Sequence, residues 1–292
     1  MIKFGPSGNS VNFALAGHKT AEESAVWVKD MGLDAFEYSF GRGITLGDER
    51  ALSIRAAFEN AGIAISVHAP YYINFANPDP EMIAKSIGYV IESAKKCRIM
   101  GGKRIVFHPA SQGKDKREPA FERTKDNFLK LAEAIKAEGL DDMIFCPETM
   151  GKLAQIGTVQ EVGELCALDE LFIPTVDFGH VNAYEHGSLK TADDYYARLS
   201  YLIDKIGYER MKHFHVHFSK IMYSAKGEIK HLNFNDEVFG PEFEPLADVL
   251  LKLNLEPVII CESAGNQDVD AKYMKDVYFA KKAVLNGLVS VE

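Results

Sequence analysis

Paired cysteines and long apolar runs are both missing from this chain. Its four cysteines are scattered among 292 residues without a CxxC pair, which predicts reduced, mostly buried thiols in a cytoplasmic protein. These cysteines are Cys97, Cys146, Cys166 and Cys261. No apolar run approaches the roughly 20 residues that span a bilayer, and no apolar stretch follows a basic start. We therefore expect neither secretion nor membrane insertion.

Positive charge is scarce as well. Lysine and arginine number 33 against 42 acidic residues, which gives a formal net charge of −9. Non-specific nucleic-acid binding relies on a cationic surface, so this balance argues against it. Part of the acidic excess would lie in a metal site, where bound cations reverse the local sign. The charge therefore lowers the expectation of a DNA or RNA substrate without removing it.

The chain also lacks a Pro/Gly/Ser-rich linker, a low-complexity tract and a block of like charges, so one domain over residues 1–292 is expected. Hydrophobic residues make up 47% of the chain, which is ample for a large core. Strand-like and helix-like segments alternate, which predicts an α/β fold, a (β/α)₈ TIM barrel. The expected strands are 2–5, 35–40, 64–69, 104–109, 143–148, 173–178, 213–218 and 258–263. The expected helices are 21–31, 48–60, 80–100, 119–138, 158–167, 192–206, 242–253 and 271–286.

Six of the expected strands end on side chains that bind metals, at intervals of roughly 30 to 50 residues. TIM barrels keep their chemistry at these C-terminal strand ends. Imidazole and carboxylate ligands suit zinc or another hard-to-borderline divalent metal. The side chains are His68, His108, Glu148, Asp177, the run His213, His215 and His217, and Glu262.

The ligand count leaves two interpretations open. Glu148, Asp177, one histidine of the 213–217 run and Glu262 would suffice for a single metal. That arrangement resembles the xylose isomerase-like sugar isomerases and epimerases. The additional histidines His68, His108 and His180 favour a centre of two or three metals. A third interpretation is a catalytically silent metal-binding barrel that acts through protein contacts.

Longer motifs make a second resemblance more specific. They resemble, in order along the chain, the successive motifs of the endonuclease IV family, which are zinc-dependent apurinic/apyrimidinic endonucleases with a TIM-barrel fold. The resemblance runs from about residue 5 to about residue 265 and implies hydrolysis of the phosphodiester 5′ to an abasic site in DNA repair. The motifs are VHAPYYINFANP (67–78), FHPAS (107–111), PETMGKLAQIGT (147–158), VDFGHVNAYEHG (176–187), HVHFSK (215–220) and CES (261–263).

This resemblance implies a set of ligands for two or three zinc ions, with manganese as the alternative metal. One zinc would lie between His68 and His108 with Glu148 as a bridging carboxylate. Asp177, His215 and Glu262 would join Glu148 around a second zinc. His215 is preferred to His217 because HVHFSK aligns through Lys220 with the family's His-x-Asn-Asp-x-Lys segment. His180, Glu228 and His231 would hold a third zinc.

Two departures from the family pattern concern the third zinc. The family takes an Asp-x-His pair where this chain has Glu228-Ile-Lys-His231, so Glu228 would stand in for the aspartate. The segment His-Phe-Ser-Lys also replaces an expected Asn-Asp pair. Glu148 and Glu262 are the expected catalytic residues, because either carboxylate could orient the attacking water.

The resemblance also implies a damaged double-stranded DNA substrate, and we expect a monomer. Tyr71 and Tyr72 follow His68 where family members insert side chains into the duplex, and Arg42 is a candidate second wedge. The two tyrosines could instead line a small-molecule pocket. Five basic residues could contact phosphates or simply solvate the surface: Lys103, Lys114, Lys116, Arg117 and Lys220.

Overall fold

The computed structural model describes residues 1–41 and 43–287 and confirms the TIM barrel. The strands of these residues are β1 (Lys3–Pro6), β2 (Ala35–Ser39), β3 (Ala64–His68), β4 (Arg104–Phe107), β5 (Ala110–Ser111), β6 (Ile144–Pro147), β7 (Gln155–Ile156), β8 (Thr175–Asp177), β9 (His215–Phe218), β10 (Ile221–Ser224), β11 (Gly227–His231) and β12 (Val258–Cys261). The helices are α1 (Val11–Leu15), α2 (Ala21–Asp30), α3 (Asp48–Ala61), α4 (Pro80–Ile99), α5 (Arg117–Ala137), α6 (Val159–Ala167), α7 (Phe178–Tyr184), α8 (Ala192–Ile206), α9 (Tyr208–Met211), α10 (Glu244–Lys252) and α11 (Gln267–Leu285).

Eight parallel strands form the barrel wall in two four-stranded sheets. One sheet has the order β1-β12-β9-β8 and the other the order β2-β3-β4-β6. Parallel bridges close the wall at both seams, Ser7 to Glu37 at one and Glu148 to Thr175 at the other. The wall therefore contains all eight strands expected from the sequence, and their carboxyl ends meet at one rim.

Local sequence signals start several of the outer helices. Thr20 caps α2 and Thr158 caps α6, each in a capping box with the glutamate three residues later, Glu23 and Glu161. Asp79 caps α4, whose first residue is a proline. These helices cover the outer face of the wall. Phe128 of α5, for example, packs against Phe107 of β4 with ring centroids 5.8 Å apart.

The alternation of side chains along the strands separates this core from the rim. Val67 and Val216 are fully buried in the apolar core, while His68 and His217, one residue further along their strands, face the other way. Fully buried histidines and carboxylates consequently lie inside the wall, close to its carboxyl end.

Two antiparallel additions project from the rim and were not predicted. Strands β10 and β11 form a hairpin in the long segment after β9, and β5 pairs with β7. The expected strand 173–178 is also shorter, because Asp177 ends it and caps α7 by accepting a hydrogen bond from the amide of His180. Among the described residues, the helices are too short or too polar to cross a bilayer.

Candidate metal centre

Histidines and carboxylates from six wall strands, helix α7 and the β10–β11 hairpin meet at the barrel rim. The first group contains His68, His108 and Glu148, whose potential ligand atoms lie within 4.8 Å of one another. The Nε2 atoms of His68 and His108 are 3.2 and 3.3 Å from Oε2 of Glu148. Because Nδ1 of His68 contacts the carbonyl oxygen of Ala69 at 2.7 Å, its Nε2 is left to face a metal.

The second group shares Glu148 with the first and adds Asp177, His217 and Glu262. Nδ1 of His217 is 2.8 Å from Oε1 of Glu148 and 3.5 Å from Oε2 of Glu262. Oδ2 of Asp177 is fully buried and has no hydrogen-bond partner among the described residues. Nδ1 of His180 lies 3.3 Å from this oxygen without a hydrogen bond. Carboxylates clustered and buried in this way are costly without a further cation, so this donor set fits a divalent metal.

The third group contains His180, Glu228 and His231. Nε2 of His180 is 3.5 Å from Oε2 of Glu228, and Nδ1 of His231 contacts the hydroxyl of Ser219 at 2.8 Å. The structure therefore brings Glu228 close to His180 and His231, the other two expected ligands of the third zinc. His180 Nδ1 contacts the carbonyl oxygen of Thr149 at 2.9 Å, which again leaves Nε2 directed at the group.

The structure places His217, and not the expected ligand His215, beside the other expected ligands of the second zinc. His215 and His217 lie on the same face of β9 but about 6.6 Å apart along it, since a strand advances roughly 3.3 Å per residue. His217 is the residue nearer the rim and joins Glu148, Asp177 and Glu262. His215 lies deeper, with Nε2 at 3.0 Å from Oε2 of Glu37.

Glu37 is the inward-facing residue that the sequence analysis missed. It is fully buried on β2, accepts a hydrogen bond from Ser66, and contacts His217 Nε2 at 2.8 Å. A signal was present, because an acidic residue inside the apolar segment Ala35–Phe36–Glu37–Tyr38 is rarely left unpaired. The expected ligands were sought only at strand ends, and Glu37 lies in mid-strand.

Two glycines let the hairpin pack closely against the loop after β6. Gly227 has φ +86°, and a Cβ on it would lie 2.2 Å from the carbonyl oxygen of Gly151. A Cβ on Gly151 would in turn lie 2.8 Å from Cβ of Glu228. The amide of Glu228 donates to the carbonyl oxygen of Gly151 at 2.9 Å, so these contacts fix Glu228 beside His180.

Burial and the neighbouring charges set the ionisation of the centre. Burial raises the pKa of Asp177, and the charge on His180 only partly offsets this effect. Burial alone would lower the pKa of His180, but Asp177 and Glu228 outweigh it and raise the pKa to about 9. Burial opposes ionisation of Glu262, yet His217 holds its pKa at about 2. Burial lowers the pKa of His215 to about 4 despite its contact with Glu37.

Residues of all three groups line one open cavity of about 530 Å³, whereas Asp177 and His217 of the second group are buried and are not among its lining residues. Tyr71 lies at its mouth, with its ring centroid 5.3 Å from that of His68 and 5.6 Å from that of His108. Tyr72 does not line the cavity and packs against Tyr89 at 4.8 Å. Arg42, the expected second wedge, lies outside the described residues. Met150, Lys152 and Gln155 complete the wall beside the hairpin.

Most of the five basic residues that could contact phosphates either bind other side chains or lie far from the cavity. Lys103 lies at the opposite, amino-terminal end of the barrel. Arg117 makes two hydrogen bonds of 2.7 Å to Glu161, and Lys220 is buried against Glu242 at 2.8 Å. Lys114 and Lys116 are exposed before α5. Among the described residues, the lysine that does line the cavity is Lys152.

Fold and site together define a TIM barrel whose strand ends carry a histidine–carboxylate centre suited to divalent metals. The chain belongs to the xylose isomerase-like TIM barrel family, whose model matches residues 25–283. An uncharacterized protein of Methanocaldococcus jannaschii is 30% identical over 81% of this chain and 84% of its own length. The resemblance to endonuclease IV is confirmed by a probable endonuclease 4 of Mycoplasma pneumoniae, 27% identical over 72% of each chain.

Solved structures agree on the fold. Endonuclease IV from Thermus thermophilus superimposes with a TM-score of 0.64 at 21% identity, over 95% of this chain and 98% of that chain. D-psicose 3-epimerase from Clostridium cellulolyticum superimposes with a TM-score of 0.67 at 16% identity, over 96% of this chain and 99% of that chain. Both enzymes share the barrel, so overall shape does not distinguish a nuclease from a sugar enzyme.

Proposed function

We propose that this protein is a zinc-dependent apurinic/apyrimidinic endonuclease that hydrolyses the phosphodiester 5′ to an abasic site in DNA. The observation that carries the proposal is the sharing of one cavity by three histidine–carboxylate groups. A sugar isomerase with a single metal needs only the group of Glu148, Asp177, His217 and Glu262. The groups His68–His108 and His180–Glu228–His231 have no role in such an enzyme, but they suit phosphodiester hydrolysis by several metals.

The residues of the three groups would have different roles in metal binding and catalysis. His68 and His108 would hold one metal, and Asp177, His217 and Glu262 would hold a second. Glu148 would be shared by these two metals. A third metal would be held by His180, Glu228 and His231. Zinc, or manganese in its place, would neutralise the charge that develops on the phosphoryl oxygens and lower the pKa of attacking water. Glu262 lines the cavity and stays ionised because its pKa is about 2, so it can orient a water molecule.

Tyr71 gives the cavity an aromatic wall suited to a displaced nucleotide. It is 55% exposed and lies above His68 and His108, so its free face is available for stacking. Displacing a nucleotide from the duplex costs least where the base is missing, which would favour abasic sites. We propose that Tyr71 contacts the substrate directly and that Tyr72, packed on Tyr89, supports the same loop.

A single-metal sugar isomerase or epimerase is the second candidate. Its support is the four-residue group around His217, which suffices for one metal, and the net charge of −9, which repels DNA. A cavity of about 530 Å³ also lies in the range that accommodates small ligands. Metal counting separates the candidates, because the nuclease needs two or three ions per chain and the isomerase needs one.

The decisive experiment combines metal analysis with an abasic-site assay. Protein stripped with a chelator and reloaded with zinc is expected to bind two or three ions and to nick an abasic duplex but not its intact counterpart. Glu148→Gln should remove nearly all nicking, while Glu92→Gln on the exposed face of α4 should leave it unchanged. A zinc-loaded protein that does not nick the abasic duplex, or a Glu148→Gln variant as active as the parent, contradicts the proposal.

A further inference from the structure

The cavity has lining side chains that belong to none of the three histidine–carboxylate groups, and these side chains bear on its substrate. They are Ser7, Tyr71, Met150, Lys152 and Gln155. Within this set of described residues, Lys152 alone carries a charge. An ammonium group binds anions and repels cations, so Lys152 bears most directly on the charge that a substrate must have.

Hydrogen bonds on both sides fix the backbone at Lys152. The residue forms an antiparallel bridge to Gly227 of the β10–β11 hairpin, and the amide of Leu153 donates to the carbonyl oxygen of Lys226 at 3.2 Å. The amide of Lys152 itself donates to Oε1 of Gln155 at 3.2 Å. The side chain of Lys152 therefore starts from a fixed point beside the hairpin, and not from a loose loop.

The ammonium group of Lys152 is not used by the protein itself. In the part of the chain that the structure describes, it forms no ion pair, although Glu148, Glu228 and Glu262 line the same cavity. Each of these carboxylates contacts histidines instead. The positive charge of Lys152 is therefore available to a ligand that enters the cavity.

Lys152 and Tyr71 lie beside different groups. The ring of Tyr71 is 5.3 Å from that of His68 in the first group. Lys152 directly follows Gly151, on which a Cβ would lie 3.0 Å from Cδ2 of His180 in the third group. An aromatic ring and an ammonium group suit two different parts of a nucleotide, so the phosphate is expected on the side of the third group.

The charge of the three groups favours an anionic substrate as well. Two bound divalent ions would neutralise their four carboxylates, which belong to Glu148, Asp177, Glu228 and Glu262. Lys152 would then make the loaded cavity positive, although the chain as a whole has a net charge of −9. A cleft of one sign raises the local concentration of ligands of the opposite sign.

We propose that Lys152 is the specificity-determining residue of the cavity and binds a phosphate oxygen of the substrate beside His180, Glu228 and His231. It selects a phosphate-bearing substrate over a neutral sugar. This inference rests on the proposed function, which supplies the phosphodiester. It adds the residue that recognises the phosphate and the side of the cavity on which the phosphate lies.

The first test is Lys152→Met, which removes the charge and keeps an unbranched side chain. An ion pair open to solvent contributes up to about 1 kcal/mol, which is roughly fivefold in affinity. We expect the KM of the zinc-loaded protein for an abasic duplex to rise about fivefold, with kcat within about twofold, because substrate and transition state lose the same contact. Lys152→Arg keeps the charge and should restore KM.

Salt dependence provides a readout that a purely structural role of Lys152 would not change. Loss of one phosphate contact should make the slope of log kcat/KM against log salt concentration shallower by about 0.9. Lys114→Met is the matched control, because Lys114 is exposed and does not line the cavity, and it should leave KM and the slope unchanged. A parental KM or a parental slope in Lys152→Met would overturn the inference.

Inorganic phosphate separates failure of this inference from failure of the proposed function. Calorimetry of zinc-loaded protein should show phosphate binding that is about fivefold weaker in Lys152→Met, at equal zinc content. If the parent does not nick the abasic duplex but this difference is found, the proposed function fails and the anion-binding role of Lys152 stands. Equal phosphate affinity, no phosphate binding by the parent, or loss of zinc from Lys152→Met would each overturn the inference.

Discussion

Asp177 shows at the scale of one residue why this centre suits a divalent metal. Its Oδ2 is fully buried without a hydrogen-bond partner among the described residues, and burial raises its pKa. Asp177→Asn removes the buried charge but also its 3.3 Å contact with His180, so without metal the variant should unfold close to the temperature of the parent. Zinc should stabilise it less than it stabilises the parent, because one zinc is lost and each zinc at 100 times its dissociation constant contributes about 2.7 kcal/mol. Thermal unfolding with chelator and with zinc measures both effects; equal stabilisation of parent and variant by zinc contradicts the assignment.

The raised pKa of His180 predicts a pH dependence of zinc binding. Its pKa of about 9 means that His180 is protonated at neutral pH without metal and must lose a proton before it can bind zinc. Zinc affinity should therefore rise with pH up to about 9 and level off above it. Competition titrations at several pH values measure this dependence, and a flat profile from neutral pH up to that pKa would contradict it.

The direction in which a site residue faces could be predicted from the sequence where it follows from the alternation of side chains along a strand. The alternation of histidines and apolar residues in 213–218 correctly indicates that His215 and His217 face inward, but His213 is exposed near Lys103 at the amino-terminal end of the barrel. It does not indicate how far along the barrel each histidine lies, because that depends on the register between β9 and its neighbours. The pairing of Asp177 with His217 across the sheet, which places His217 beside the carboxylates, could not be derived from the strand pattern.

At the scale of elements, the contact between the β10–β11 hairpin and the loop after β6 should control the third histidine–carboxylate group. Gly227→Ala would place a Cβ 2.2 Å from the carbonyl oxygen of Gly151 and displace Glu228 from His180. We expect the variant to lose one zinc per chain. Gly113→Ala is the control, because Gly113 has a similar φ of +62° and no described atom near its Cβ position. The same metal content in both variants would contradict this role of the hairpin.

A second element-scale prediction concerns the joint between α5 and α6. Arg117 makes two hydrogen bonds to Glu161, which also accepts from the amides of Gly157 and Thr158. Burial opposes ionisation of Glu161, but these contacts lower its pKa. Glu161→Gln should cost about 1.5–3 kcal/mol of unfolding free energy, measured by urea denaturation at neutral pH.

The lowered pKa gives this contribution a defined pH window. An ionised Glu161 stabilises the fold above its unfolded pKa of about 4.3, and the stabilisation is lost as pH falls through the lower folded pKa. The difference between parent and variant should therefore shrink in acid. Arg50→Met, which breaks an exposed pair with Glu22, is the control and should cost only about 0.2–1 kcal/mol. The prediction is contradicted if Glu161→Gln costs no more unfolding free energy than Arg50→Met, or if its cost stays unchanged in acid.

The barrel wall was predictable as a set of elements, while its rim was not. Each wall strand combines an apolar run with a following helix, so its position follows from sequence periodicity alone. The β10–β11 hairpin was missed because its exposed strands mix polar and apolar residues and depend on packing against the loop after β6. Glu228 and His231 were nonetheless expected together, since the resemblance to endonuclease IV supplied what periodicity could not.

For the whole molecule, the candidate ligands of the wall come from the ends of β3, β4, β6, β8, β9 and β12. Metal binding should therefore join both four-stranded sheets and stabilise the barrel as one unit. We expect a chelator to lower the unfolding temperature in a single transition, and added zinc to restore it in a concentration-dependent way. Calorimetry at several zinc concentrations measures the shift. An unfolding temperature independent of zinc would contradict a centre that spans the wall.

The placement of Glu228 and His231 on a hairpin outside the barrel wall has an evolutionary consequence. The candidate ligands at the ends of the wall strands belong to strands that the barrel requires. Glu228 and His231 instead belong to the β10–β11 hairpin, which is an addition to the barrel. Insertion, deletion or exchange of the β10–β11 hairpin would add or remove one metal site while the barrel wall stays unchanged. A single ancestral barrel could in this way diverge toward chemistries that need different numbers of ions.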